Sequence, residues 1–398
     1  MTGTSKLWTG RYILILLMAF FFFLGIQILT AGFPAYITDL KESPTEGGLM
    51  TTVFMLSAII TRPLISYFMH KVKLALLNAL ALILVALSIG ASIGQDSLIL
   101  LLCLRSIHGV GFGILSTVFA TMATNIIPTK KLGEGIGYYG MATSVGTSIA
   151  PMIALSLLQL ASYYYMVVLT MGLTLVTLVI SLFIKTPQQS ASLPVNERKM
   201  TFQESLFDKD AFIPCSLTIF FTISLGGVIS FMGELGKEAQ IGSSVPFFFL
   251  VLTLMMVLVR PLSGRLFDRY GHKMIIYPGV FSAMVGLMLL AITERTETLL
   301  LAGVFYGIAY GVITPTLQAI AVKSVKREKQ GTANAMYFSG MDFGIAIGSI
   351  GLGAVASITS YHFIYGFSVV FLVILLMIYT FVLSKKNAQN EKSIAEVM

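Results

Sequence analysis

The chain has 398 residues, 56% of them hydrophobic and 11% charged, with a mean hydropathy of +0.88. Soluble domains carry about a quarter charged residues, so this composition excludes a water-soluble globular protein and points to a chain made for lipid. The net charge of +8 would suit a nucleic-acid partner, but the lysines and arginines fall in alternate connections between apolar runs, the positive-inside pattern of a multi-pass membrane protein, and nucleic acid is not invoked.

A helix rising 1.5 Å per residue needs about twenty apolar residues to cross ~30 Å of hydrocarbon. The first such run, over 11–36, follows Lys6 and Arg11. It exceeds the apolar core of a signal peptide and has no small-residue cleavage site, so it reads as a retained first helix. Gln27 is the polar residue near its middle. Spans at 47–68, holding Arg62-Pro63-Leu64, and at 74–94 come next. The fourth, 98–124, contains Arg105, His108, Gly109 and Gly113, and the fifth, 133–158, contains Gly146, Ala150 and Pro151. A sixth at 163–184 completes a first bundle over 1–185.

Residues 186–210 are polar, with prolines, serines and charges of both signs, and read as a cytoplasmic linker. Six further spans, at 211–235, 245–266, 274–293, 298–322, 331–357 and 361–384, form a second bundle over 211–384, followed by a cytoplasmic tail at 385–398. The eighth carries Arg260-Pro261-Leu262 and Gly264-Arg265-Leu266-Phe267-Asp268-Arg269-Tyr270-Gly271 follows at its end; the eleventh carries Asn334, Tyr337 and Asp342. Lys71, Lys73, Lys130, Lys131, Arg265, Arg269, Lys273 and the Lys323 to Lys329 run lie on the side of both termini, which is therefore expected to be cytoplasmic; the opposite connections are rich in Asp and Glu.

One offset, 198 residues, superposes the two halves: it pairs Arg62-Pro63-Leu64 with Arg260-Pro261-Leu262, Gly109 with Gly307, Gly113 with Gly311, Gly133 with Gly331 and Tyr139 with Tyr337. Two repeats of one direction follow. Neither Cys103 nor Cys215 has a disulfide or metal-ligand spacing, and both read as small core residues.

Charges deep in a span are costly and mark function. Asp342 lies about eleven residues into its span, roughly 16 Å deep and near the midplane; Arg105 lies about 10 Å from the outer end of the fourth, with His108 on its face at i+3. At the 198-residue offset Asp342 meets Ser144 and Arg105 meets Gly303. The shared residues build the scaffold, and the unshared charges are candidates for the work.

The segment from Gly264 to Gly271 resembles the GxLaDrxGrk signature of the major facilitator superfamily, with Gly264 allowing close helix approach, Gly271 a tight turn, and Asp268 a seat at the positive end of a neighbouring helix. Its first-half counterpart departs from the signature, with His70 at the aspartate's position, so an asymmetric gate is expected. Arg105 with Gly109 is similar to the family's helix-4 motif associated with proton coupling. Gly146, Ala150 and Pro151 are similar to its antiporter motif, with alanines for glycines. The resemblance covers the whole chain and is nearest to the twelve-helix drug:proton antiporters. It implies an all-α fold of two pseudo-symmetric six-helix bundles that alternate access to a central site, no cofactor beyond a proton gradient, and a single chain sufficient for one pathway.

The expected function is a proton-coupled exporter of a small lipophilic or amphiphilic solute in a bacterial cell membrane. Asp342, Arg105 and His108 are its expected proton-coupling residues, and Gln27, Arg105, Asn334, Tyr337 and Asp342 are expected to line the substrate cavity. Arg62, Arg260, Gly264, Arg265, Asp268, Arg269 and Gly271 are the expected gate. The 28 phenylalanines and 21 methionines suit an adaptable apolar site, although most face lipid. Helix 1 offers Gln27 where related drug antiporters carry an acid, so a sugar, a metal chelator or a lipid carried by a flippase stays open as substrate, as does import. A non-transporting sensor is disfavoured by the short tail. No nucleophile–base pair, phosphate loop or metal cluster points to an enzyme.

Overall fold

The computed structural model describes residues 6–41, 44–184 and 206–383. Most of the expected linker, through residue 205, and the expected tail at 385–398 lie outside the described residues. The helices are α1 (Gly10–Lys41), α2 (Pro44–Lys71), α3 (Leu74–Ala91), α4 (Leu98–Ile126), α5 (Leu132–Leu160), α6 (Tyr163–Phe183), α7 (Lys209–Glu238), α8 (Val245–Tyr270), α9 (Lys273–Ala291), α10 (Thr296–Lys323), α11 (Gln330–Ala356) and α12 (Tyr361–Ile378). Among the described residues, twelve helices are long and apolar enough to cross a membrane. The chain is an all-α multi-pass membrane protein, and helices satisfy their backbone groups internally, as lipid requires. Several helices outrun their apolar stretches, α1 reaching Lys41 and α2 starting at Pro44, because hydrogen bonding continues past the point where hydropathy falls.

The chain divides into two compact units. One contains residues 1–129, 138–208 and 326–336; the other contains 130–137, 209–325 and 337–398. The first turns of α5 and of α11 thus each group with the unit that does not hold the rest of the helix.

Within each unit the helices pack in one pattern. In the first, α2 meets α4, α3 meets α4 and α6, and α1 meets α2, α4 and α6; shifting every number by six gives the same contacts in the second, where α8 also meets α9. The shared glycines are the crossing points. A Cβ on Gly113 would lie 2.9 Å from the Ala58 carbonyl oxygen of α2, and one on Gly311 would lie 2.8 Å from that of Met256 on α8. Gly109 and Gly307 make the same approach one turn earlier, against Phe54 and Leu252. Without a hydrophobic drive between helices in lipid, close backbone packing of this kind holds a bundle together.

Of the two cysteines expected in the core, Cys215 is buried and Cys103 is exposed. Cys103 is apolar enough for either environment, and an apolar run in a membrane helix does not distinguish the lipid face from the packed face.

Candidate functional site

In the first unit α4 carries Arg105 and His108 one turn apart, and both are fully buried. Arg105 Nη2 donates to Thr30 Oγ1 at 2.9 Å and its Nε to the Met50 carbonyl at 3.4 Å. Thr30 passes its own proton to the Ile26 carbonyl, which leaves the hydroxyl oxygen free to accept. The guanidinium stands 4.1 Å from the centroid of Phe54 and 5.5 Å from that of Phe33. Phe33 also packs on His108, centroid to centroid 5.9 Å, so one ring joins the two side chains. Among the described residues no carboxylate pairs with Arg105, and its Nη1 has no hydrogen-bond partner. A charge buried in this way is an expensive group held by dipoles and π faces. Gln27, on α1, is half-buried.

The triplet arginines occupy corresponding places in the two units. Arg62 lies 5.4 Å from the ring centre of Phe112 on α4, with Tyr139 of α5 beside it. Arg260 lies 5.6 Å from the ring centre of Tyr310 on α10, with Tyr337 of α11 beside it. Phe112 and Tyr310, like Tyr139 and Tyr337, are related by the 198-residue offset. Sequence reasoning singled out the arginines and Tyr337 but not the rings that hold them; the offset itself pairs Phe112 with Tyr310 and was a usable signal. Tyr337 further donates its hydroxyl to the Thr314 carbonyl at 3.0 Å.

Asp342 sits at the middle of α11 and is 9% exposed. Gly340, Gly344 and Gly348, at i−2, i+2 and i+6, press α11 against α7: Cβ atoms there would lie on Cys215, Ile219 and Ile223 backbone atoms. A residue two positions from each of two such glycines is turned about 200° from them, so Asp342 occupies the face of α11 opposite its seam with α7. Asn334, earlier on the helix, is fully buried in the first unit and donates its amide to Thr124 Oγ1 at 3.2 Å and Thr121 Oγ1 at 3.5 Å. Gly146 of α5 brings that helix against α1, where a Cβ would meet the Phe20 carbonyl oxygen at 2.8 Å. Ala150 beside it is buried, and Pro151, inside the helix, lacks the N–H that would bond the Thr147 carbonyl.

The charged motif lies at the end of α8. Asp268 accepts the Gly133 N–H at 2.9 Å on one carboxylate oxygen and the Glu134 N–H at 2.8 Å on the other, capping the start of α5. Those N–H groups have no partner within their own helix, and a negative charge there is favoured by the helix dipole. Arg265 Nε reaches Glu134 Oε1 at 2.9 Å. Gly264 makes this possible, since a Cβ on it would overlap the Gly133 carbonyl and lie 2.7 Å from the Glu134 Cα. Gly271 ends α8 at φ +77°, a conformation open to glycine. Arg269 turns back over the Tyr270 ring, 5.1 Å from its centre. Glu134 was not foreseen; its place two residues into a helix N-terminus was the only signal.

The corresponding contact in the first unit is uncharged at its centre. Ser66, the counterpart of Gly264, donates to Thr332 Oγ1 at 3.1 Å, and Met69 packs on Gly331. An ion pair and a charged hydrogen bond lie at its edge, where Lys329 meets Asp208 at 2.9 Å and Arg327 donates to the Asn125 carbonyl at 2.6 Å. Among the described residues no group of His, Cys, Asp and Glu has the geometry to hold a metal ion.

A sequence profile of the Major Facilitator Superfamily matches residues 15–298 and 293–397. A Methanocaldococcus jannaschii protein named as the uncharacterized MFS-type transporter MJ1560 is 22% identical over 282 residues, covering 69% of this chain and 72% of the relative. The quinolone resistance protein NorA of Staphylococcus aureus is 26% identical over 133 residues, 33% of this chain and 34% of NorA. The crystal structure of the human organic anion transporter MFSD10 superposes with a TM-score of 0.80 at 14% identity, over 93% of this chain and all of that one.

Proposed function

The chain belongs to the major facilitator superfamily, a family of transporters rather than enzymes, and on that basis we propose that it is a proton-coupled exporter of a small lipophilic or amphiphilic solute, working by alternating access in a bacterial cell membrane with both termini in the cytoplasm. Likeness to NorA over a third of each chain supports the drug-export side of this reading. The observation that carries proton coupling is Asp342, a carboxylate 9% exposed at the centre of a spanning helix. In hydrocarbon a carboxylate is expensive when charged and far less so when protonated, so binding a proton changes which conformation is favoured.

In the proposed cycle Asp342 takes a proton when open to the outside and releases it to the cytoplasm. Its charge state biases either substrate affinity or the conformational equilibrium. Arg105, fixed by Thr30, Phe33 and Phe54, is the buried positive charge of the first unit. Asp268, with Glu134 and Arg265, forms a latch whose hydrogen bonds must break and re-form in each cycle. One chain suffices.

The test is transport in proteoliposomes with a pH-sensitive dye inside, adding lipophilic cations, neutral lipophiles and anions in turn. Substrate-dependent proton movement is expected in the wild type and is expected to vanish in Asp342→Asn. Full proton-driven transport by Asp342→Asn would refute the assignment.

A further inference from the structure

The end of the second unit that carries the α7–α8, α9–α10 and α11–α12 connections holds a histidine placed between two hydrogen-bond acceptors. His362 Nδ1 lies 2.8 Å from Glu238 Oε1 at the end of α7, and its Nε2 lies 2.8 Å from the Thr293 carbonyl oxygen after α9. A carbonyl oxygen and an ionised carboxylate only accept, whereas a neutral imidazole has a single N–H to give; both bonds exist together only in the imidazolium form. Glu238 cannot turn away freely, because its other oxygen accepts the Tyr361 N–H at 2.9 Å at the start of α12, where the helix dipole favours a negative charge.

We propose that His362 is a proton-binding site, and that the bound proton staples the end of α7, the α9–α10 connection and the start of α12 to one another. The charged groups facing it are acids: Glu238 from α7 and Glu294 from the α9–α10 connection. The nearby Lys237 is occupied by Glu234 at 2.7 Å, and the neighbour of His362 on α12 itself is Tyr361. When the proton leaves, one of the two bonds is lost and the neutral ring holds either α7 or the connection, not both.

The first unit has no histidine at the corresponding place. At the same offset Tyr163 stands for Tyr361, Tyr164 for His362 and Asp96 for Glu294. There Tyr36 donates to Asp96 at 2.9 Å and stacks on Tyr163 at 3.9 Å, and Tyr163 donates to the Ser92 carbonyl at 3.0 Å. Tyrosine hydroxyls keep their protons across the range in which histidine titrates. The proton at His362 therefore tightens the second repeat at a place where the first carries a tyrosine. That it arrives from outside the cell rests on the orientation proposed above; the site itself does not.

The chain contains four histidines, so nitrogen-15 histidine NMR of the full protein in nanodiscs resolves the site, with His362 assigned by its loss in His362→Gln. At about pH 6 both ring nitrogens of His362 are expected to carry protons, and Glu238→Gln, which removes the charge but keeps an acceptor, is expected to leave one. On raising the pH to about 9, hydrogen exchange at the Tyr361 amide, corrected for intrinsic chemistry, is expected to rise about tenfold in the wild type and not in His362→Gln. A singly protonated His362 at the lower pH in the wild type overturns the proposal, as does Tyr361 exchange with no pH response. Neither readout needs a known substrate, so both stand if proton-coupled transport fails its own test.

Discussion

Arg105 carries a full charge about 10 Å into α4 and meets it with a hydroxyl, a carbonyl and two phenylalanine rings. A lysine keeps the charge but lacks the planar fork that serves Thr30 and Met50 together and the flat face that lies on Phe54. Arg105→Lys is therefore expected to lower the transport rate tenfold or more, the scale of one charge-assisted hydrogen bond at about 1.5–3 kcal/mol, while melting within a few degrees of the wild type; transport assays and thermal unfolding in detergent check both. For Asp268 the balance differs, because its two oxygens accept two backbone N–H groups. An asparagine has one acceptor oxygen and turns an NH2 toward a donor. Asp268→Asn is expected to release the start of α5, seen as about tenfold faster hydrogen exchange at the Gly133 and Glu134 amides, with Asp342-dependent proton binding retained. The deep charges were legible one by one, since any arginine or aspartate in an apolar run stands out. Their partners were not: Thr30, Phe33 and Phe54 belong to other helices and look like the rest of their spans.

Among the elements, α11 shows most directly how packing positions a functional group. Its glycines at 340, 344 and 348 form a flat seam on α7 and hold Asp342 on the other side. A Cβ on Gly344 would overlap Thr222 Oγ1 and lie 2.6 Å from the Ile219 carbonyl, so Gly344→Ala must push the helices apart. A loss of about 1–3 kcal/mol is expected, read as reduced yield of folded protein and a lower melting temperature. Gly351, on the same helix, has nothing within 4 Å of an added Cβ. Gly351→Ala is expected to be neutral or slightly stabilising, which separates packing from helix propensity. The spacing of these glycines was visible in the sequence. Which helix they face was not, because a small-residue stripe specifies a close neighbour without naming it. The same ambiguity placed Cys103 in the core when it is exposed.

Over the whole molecule, the distribution of lysine and arginine carries a prediction about orientation. Green fluorescent protein joined to the C-terminus is expected to fluoresce and alkaline phosphatase there to be inactive, with phosphatase inserted at the α11–α12 connection around Thr359 expected to be active, since connections rich in lysine and arginine are held on the cytoplasmic side. Hydropathy in sequence was enough for twelve spans, and the offset between segments for the two-repeat plan, because each depends on composition within one segment or on a comparison between segments. The 198-residue repeat went further, as the glycines it pairs are the helix crossings of both units. Tertiary structure alone decided which neighbours each deep charge meets, that the early turns of α5 and α11 group apart from the rest of their helices, and that His362 stands between a carboxylate and a carbonyl. These are properties of side chains from helices far apart in the chain meeting at distances near 3 Å, and nothing within a single apolar span encodes its partner's identity.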